Sequence, residues 1–326
     1  MNSPLRKALL IFLFVSASTP VLAAGSAQTR EMLERMATAM SELSYQGTFV
    51  YVRDGDVETM RITHVMGEDG VRERLYSVSG PRREVVRDRN GVRCILNDPT
   101  AVEENMVVSD SYFPELPQSL FDNKVNGYHI KIGGKARIAG LTARLVTIRP
   151  EDNFRYGYDF WLEEETGLLL KWVLFKAGHK ALAKLMFTEL VVGDGIDLGE
   201  LESESPVEDF VALKTISPNK SVAVETTPRW KPNKLPPGFQ LTSHSQSLNA
   251  DGVFEHTVYS DGLAAVSIYV EKQGGEVAMT QGIKRMGTNN AYSTRKNDMQ
   301  ITVIGEVPAI TVKTIADEMA LAVAAN

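Results

Sequence analysis

A single cysteine, Cys94, stands among 326 residues, which excludes an intramolecular disulfide framework and leaves the hydrophobic core to hold the fold. It lies in the strand-like run Val92 to Leu96. A buried, inert thiol is the plainer reading; an intermolecular disulfide or a reactive group is the alternative. Catalytic signatures are missing too. No two of the five histidines stand four apart around a carboxylate, so a helical zinc site is not indicated. There is neither a Gly-x-Ser-x-Gly elbow nor a Gly-x-x-x-x-Gly-Lys-Ser/Thr phosphate loop. A triad gathered from distant residues is set by geometry and escapes such a search. Positive charge is in deficit: 35 basic against 41 acidic residues give a net −6, which argues against nucleic acid as the main partner. Beyond the N-terminus, every apolar run is short and charge-interrupted.

What is present begins with an export signal. Arg6 and Lys7 form a positive n-region, Ala8 to Val15 an apolar core, and Val21-Leu22-Ala23 a small-residue end. An uncleaved anchor would need to span about 30 Å of hydrocarbon, and Ser16, Ser18, Thr19 and Pro20 interrupt the run too early. Cleavage is expected after Ala23, with Ala24 as the alternative, giving a signal peptide over 1–23. No cysteine marks the site for lipid attachment. Loss of Arg6 and Lys7 takes the net charge from −6 to −8, and about 300 residues remain, enough for two domains.

Gln28 to Leu43 carries Met32, Met36, Ala39, Met40 and Leu43 at spacings of three and four, the pattern of an amphipathic helix. The pattern then turns extended. Tyr45 to Arg53 and Val57 to Met66 flank Asp54-Gly55, a pair suited to a tight hairpin turn. Further turns at Glu68-Asp69-Gly70, Gly80-Pro81 and Asn90-Gly91 predict an antiparallel meander, because parallel strands need long crossovers. The proline-rich stretch Asn97 to Asn126, with Tyr112 and Phe113, reads equally as a loop over a cavity or as a short helix on the sheet. Strands resume at Tyr128 and end on the hairpin Tyr156 to Phe175 and the strand Leu182 to Leu190. A proline-marked linker is placed at 208–230. It separates a β domain over 24–207 from a smaller unit over 231–326. There, Phe239 to Leu248, Val253 to Ser260, Ala264 to Glu271 and Gln300 to Val307 read as strands before a final helix opened by Pro308. Gln273 to Gly275 and Gly287 to Asn290 read as loops. The fold class is α+β: a large antiparallel half-barrel meander packed on helices, and a small antiparallel α+β domain.

Two features bear on binding. In Leu168 to Phe175 both alternating faces are apolar, whereas an antiparallel strand normally wets one face. Either both sides are core, or one lines a cavity for an apolar ligand. Arg72, Arg74, Arg82, Arg83, Arg87, Arg89 and Arg93 cluster in an otherwise acidic chain. They form either a solvated face paired with Glu73, Glu84 and Asp88, or a recognition surface for carboxylate or phosphate.

In order along the chain, Tyr45 to Tyr51, Asp69 to Leu75, Arg83 to Arg87, Arg155 to Tyr158 and Glu165 to Lys171 resemble the MucB/RseB family of periplasmic regulators. So do Leu235 to Phe239, Val258 to Leu263 and Gly305 to Pro308. The resemblance implies a periplasmic protein that binds the periplasmic domain of a membrane anti-sigma factor and shields it from proteolysis. That restrains an envelope-stress sigma factor. It also implies a lipoprotein-carrier-like first domain whose apolar concavity takes an acyl lipid or lipopolysaccharide, with release of the partner. No enzyme activity, cofactor or metal is expected, and homo-oligomer formation stays open. A lipid or lipoprotein carrier is the alternative. The expected acyl groove is Tyr156, Tyr158, Phe160, Leu170 and Trp172, large residues alternating toward one face. Arg72, Arg74 and Arg83 are expected to contact anions, and Tyr259 and Asp261, on the second-domain hairpin, the partner.

Overall fold

The computed structural model describes residues 21–80, 82–95, 112–114, 127–203, 205–206, 211–213, 227–249, 252–272 and 281–322. The expected signal peptide up to Pro20 and most of the Asn97 to Asn126 stretch lie outside the described residues, as does the expected loop Gln273 to Gly275. Helix α1 spans Val21–Glu42. It begins earlier than the methionine stripe indicates, since Ala23, Ala24 and Ala27 are strong helix formers that carry it back. No helix among the described residues is long and apolar enough to cross a membrane.

The first sheet contains β1 (Tyr45–Arg53), β2 (Asp56–Gly67), β3 (Gly70–Ser79), β4 (Glu84–Asp88), β5 (Gly91–Ile95), β6 (Tyr128–Ile138), β7 (Leu141–Pro150), β8 (Gly157–Glu163), β9 (Leu169–Lys176), β10 (Lys180–Val192) and β11 (Val211–Leu213). Its order is β11-β5-β4-β3-β2-β1-β10-β9-β8-β7-β6, an open antiparallel sheet. Asp54 and Gly55 both take positive φ, 54° and 98°, the turn that matches strand twist. The sheet curls far enough for β6 to touch β10, four places away, and α1 packs on β6 and β9. Leu33, Met36 and Ala39 enter one core with Phe49, Met60, Ile62, Val146, Phe160, Leu174 and Phe187. Strand β11 falls inside the expected linker; it pairs with β5, so that stretch is partly sheet.

Gly47 lies on β1 opposite Leu190 of β10, beside a bulge at Thr48/Phe49. A Cβ there would sit 2.5 Å from the Glu189 carbonyl oxygen and 3.0 Å from Phe187 and Leu190 side-chain carbons. Gly47→Ala is expected to cost about 1–3 kcal/mol of stability, the range for overpacking. A urea midpoint unchanged from wild type would contradict this.

The second unit holds β12 (Trp230–Pro232), β13 (Gln240–Asn249), β14 (Gly252–Ser260), β15 (Ala265–Lys272), β16 (Gly282–Met286), β17 (Asn289–Lys296), β18 (Met299–Gly305), α2 (Ala309–Glu318) and β19 (Met319–Leu321). Six strands pair in the order β13-β14-β15-β18-β17-β16, and β12 pairs with β19. Val312, Ile315 and Ala316 of α2 are fully buried with Val266, Ile268, Ile301 and Val303. The Gly287 to Asn290 segment, expected as a loop, is the turn of the β16–β17 hairpin with the start of β17. Its polar sequence has low intrinsic strand preference, and pairing with β18 overrides it.

Candidate functional site

Across five strands of the first sheet, one row of side chains runs Val146, Phe160, Trp172, Leu185, Tyr51 through successive register partners. This is the helix-covered face, and aromatic rings fill it. Tyr158 packs on Phe160 with centroids 5.3 Å apart. Tyr112 meets Tyr51 at 5.0 Å and Phe49 at 5.6 Å, while Phe113 lies 5.5 Å from Phe49 and 6.0 Å from Phe187. The Trp172 indole N–H donates to the Tyr112 carbonyl at 2.9 Å, which pins this segment on the sheet. Tyr156, Tyr158, Phe160 and Trp172, four of the five expected groove residues, share this core. Leu170 does not. The ladder pairs Leu162 with Leu169 but Trp161 with Lys171, so Leu170 is the extra residue of a β-bulge. A bulge reverses the alternation, so Leu169 joins Trp172 and Leu174 while Leu170 packs with Ile138 and Ala143.

The second concentration of chemistry lies between the domains. Arg155 is among the largest fully buried side chains. Its guanidinium donates to Asp261, to the Pro237 carbonyl and, at 2.6 Å, to Asp152. It also lies over the Tyr128 and Phe239 rings, 5.3 and 5.4 Å from their centroids. Gly127, at φ 101°, leaves room that any side chain would take from this guanidinium. Three tyrosines reach across the same junction. The Tyr128 hydroxyl donates to Asp261 at 3.2 Å and the Tyr158 hydroxyl to Glu306 at 3.0 Å. The Asn290 side-chain amide donates to the Tyr156 hydroxyl at 3.0 Å and to the Val307 carbonyl at 2.7 Å. The buried Thr311 hydroxyl donates to the Phe154 carbonyl at 2.7 Å, and at the rim Arg285 pairs with Asp54 at 2.5 Å.

Burial sets the electrostatics here. It pushes the Glu306 carboxyl above the usual carboxylate range, against the opposing pull of Thr288, Tyr158 and Arg53. Burial, followed by the neighbouring Glu306 charge, holds the Tyr158 hydroxyl well above its ordinary value. Tyr128 rises through burial and then through Asp261. The junction therefore combines a buried ion pair with hydroxyls that stay protonated.

The other expected contacts are spread apart. Arg72 pairs with Glu202 at 3.1 Å, and Arg74 pairs with Glu84 at 2.7 Å while stacking over Tyr76. Arg83 reaches the Tyr112 hydroxyl at 3.0 Å. Glu84 lies below the usual carboxylate range because bonds from Ser203, Ser205 and Arg74 outweigh burial, which is the largest single influence and acts upward. Arg72 and Arg74, two apart on β3, both reach the Glu200 to Glu202 segment, whereas Arg83 turns to Tyr112. A small polar cleft of about 200 Å³ is lined by Arg72, Arg87, Arg93, Glu202 and Ser205, among others. Tyr259 is buried in the second-domain core, and the Asp261 carboxylate has no exposed surface. Any direct partner contact through Asp261 would require the junction to open. Cys94 is buried, and burial raises its thiol. No group of histidine, cysteine and acidic residues suited to a metal occurs among the described residues.

Residues 28–205 match the MucB/RseB N-terminal domain and residues 224–320 the MucB/RseB C-terminal domain. The chain is 30% identical over 315 residues to the sigma factor AlgU regulatory protein MucB of Pseudomonas aeruginosa, spanning 94% of this chain and 95% of that one. It is 26% identical over 318 residues to the sigma-E factor regulatory protein RseB of Escherichia coli, spanning 95% and 94%. The solved complex of Pseudomonas aeruginosa MucA and MucB is similar at a TM-score of 0.70 and 27% identity, over 91% of this chain and 100% of that one. A crystal structure of MucB is similar at 0.61 and 28%, over 91% and 99%. With both domain types matched in order along nearly the whole chain, this protein belongs to the MucB/RseB family.

Proposed function

We propose that this chain is a periplasmic binding regulator of an envelope-stress sigma factor. It holds the periplasmic part of a MucA-like anti-sigma factor, shields it from proteolysis, and lets go when an acyl lipid or lipopolysaccharide enters the aromatic-walled face of the first sheet. It works by binding, not catalysis. The observation that carries this reading is similarity to MucB over both domains, together with the existence of a MucA–MucB complex. The export signal at the N-terminus and the apolar wall of Tyr158, Phe160 and Trp172 support it. A lipoprotein carrier would need the curved sheet alone, and leaves the buried junction with a second domain without a purpose.

Release by a ligand requires that the ligand bind the partner-free form better, since only differential affinity moves the equilibrium. Titration calorimetry of the mature chain with a MucA-like periplasmic domain should give a defined complex. Saturating lipopolysaccharide should weaken it by about 5–150-fold, the usual span of a coupling free energy. Equal affinity with and without lipopolysaccharide would overturn the ligand-release part, and no complex at all would overturn the reading.

A further inference from the structure

Four segments that carry the family resemblance meet at one place. Arg155 to Tyr158 of the first domain faces Pro237, Asp261 and Glu306, each from a different second-domain motif. Tyr128, Tyr156 and Tyr158 have a shared geometry there. Their rings belong to the core of the first sheet, and their hydroxyls are bonded to Asp261, Asn290 and Glu306 of the second domain. A tyrosine ring is rigid, so its two ends cannot move independently. Resting on the ligand-release reading above, we propose that these three tyrosines transmit occupancy of the aromatic face to the domain junction, so that an acyl ligand and the closed junction exclude one another.

The packing supplies the reason. Phe160 has no exposed surface, Tyr158 packs against it at a tilt, and Phe160 pairs in register with Trp172. A core at close-packed density has no slack for an added alkyl chain, so the chain must displace rings. A displaced Tyr158 ring withdraws its hydroxyl from Glu306. That carboxyl is faced by Tyr158 from β8, Thr288 from the β16–β17 turn and Arg53 from the end of β1, and it would be left short of a buried partner. The closed junction then loses stability relative to an open one. By linkage, a change that weakens the closed junction raises the fraction of chains competent to bind ligand and so tightens ligand binding. The rim pair Arg285–Asp54 is about half exposed, so the buried centre is the part that decides.

The test uses dansyl-labelled undecanoate as probe on the full mature chain. Tyr156→Phe with Tyr158→Phe keeps both rings and removes both hydroxyls. This double variant is expected to bind the probe five- to twenty-fold tighter than wild type. In parallel, spin labels are placed at the exposed positions Lys184 and Lys284, one in each domain, after Cys94→Ala. Saturating probe is expected to lengthen the interlabel distance, and the double variant without probe is expected to show part of the same change. Equal probe affinity in a cooperatively folded variant, or an unchanged distance at saturation, would overturn the coupling and leave the ligand reading standing. Failure of every chain to bind the probe would overturn both. The distance measurement on the chain with native tyrosines decides even if the variant does not fold.

Discussion

Arg155→Ala is expected to lower the stability of the protein by about 3–5 kcal/mol, the cost of removing one partner from a buried ion pair. The magnitude follows from what is left behind. Arg155 and Asp261 both have side chains with 0% exposure, so the alanine variant keeps a desolvated carboxylate whose cationic partner has gone. The Pro237 carbonyl loses its donor as well, and the Tyr128 and Phe239 rings lose the guanidinium lying over them. An exposed pair such as Lys313–Asp317 is screened by water and contributes little by comparison, so Lys313→Ala serves as the control. Urea denaturation, followed by the interdomain spin-label distance, measures the effect. The joint substitution Arg155→Met with Asp261→Leu removes both charges and is expected to recover most of the loss, because a buried pair costs nearly as much to desolvate as it returns. A loss below about 1 kcal/mol for Arg155→Ala would mean that water reaches Asp261 and that the junction is not sealed.

How much of this was legible in the sequence depended on the range of the interactions. Asp54-Gly55 announced its hairpin because a tight turn is a local event, and both residues take the positive φ that the pair suggests. The double-faced apolar pattern around Trp172 and the helix after Pro308 were readable for the same reason. The β16–β17 hairpin was hidden, since the polar stretch Asn289 to Lys296 becomes a strand by pairing with β16 on one side and β18 on the other. Leu170 was assigned to the wrong side by strict alternation, which a bulge defeats without leaving a mark in composition. The junction was least legible of all. Arg155 and Asp261 are separated by 106 positions, and Tyr158 and Glu306 by 148. Arg155-Tyr156-Gly157-Tyr158 was visible as a motif, and a buried arginine can be suspected from aromatic neighbours, but nothing local names its partners. The Asp261 side chain, named for partner contact on the second-domain hairpin, lies in a contact with Arg155 that only the folded chain creates.

Phe160→Ala is expected to cost about 3–5 kcal/mol, the range for deleting a buried aromatic ring, and it also separates the two readings of the aromatic face. Phe160 has no exposed surface and sits between Val146 and Trp172 in the strand ladder, so its removal leaves an apolar hole walled by strands. If this face were only core, the hole would stay empty or collapse, and an alkyl ligand would not change the stability of the variant. If the face accepts acyl chains, the hole is a site with the ring already out of the way. Ligand at about a hundred times its Kd should then restore about 2.7 kcal/mol, most of what the substitution removed. The wild-type chain should gain less from the same ligand, because Phe160 and the Tyr112 and Phe113 rings must first be displaced. Thermal unfolding of both chains with and without dansyl-labelled undecanoate measures the difference. A variant destabilised by the expected amount, and unmoved by saturating ligand, would assign this face to structure alone.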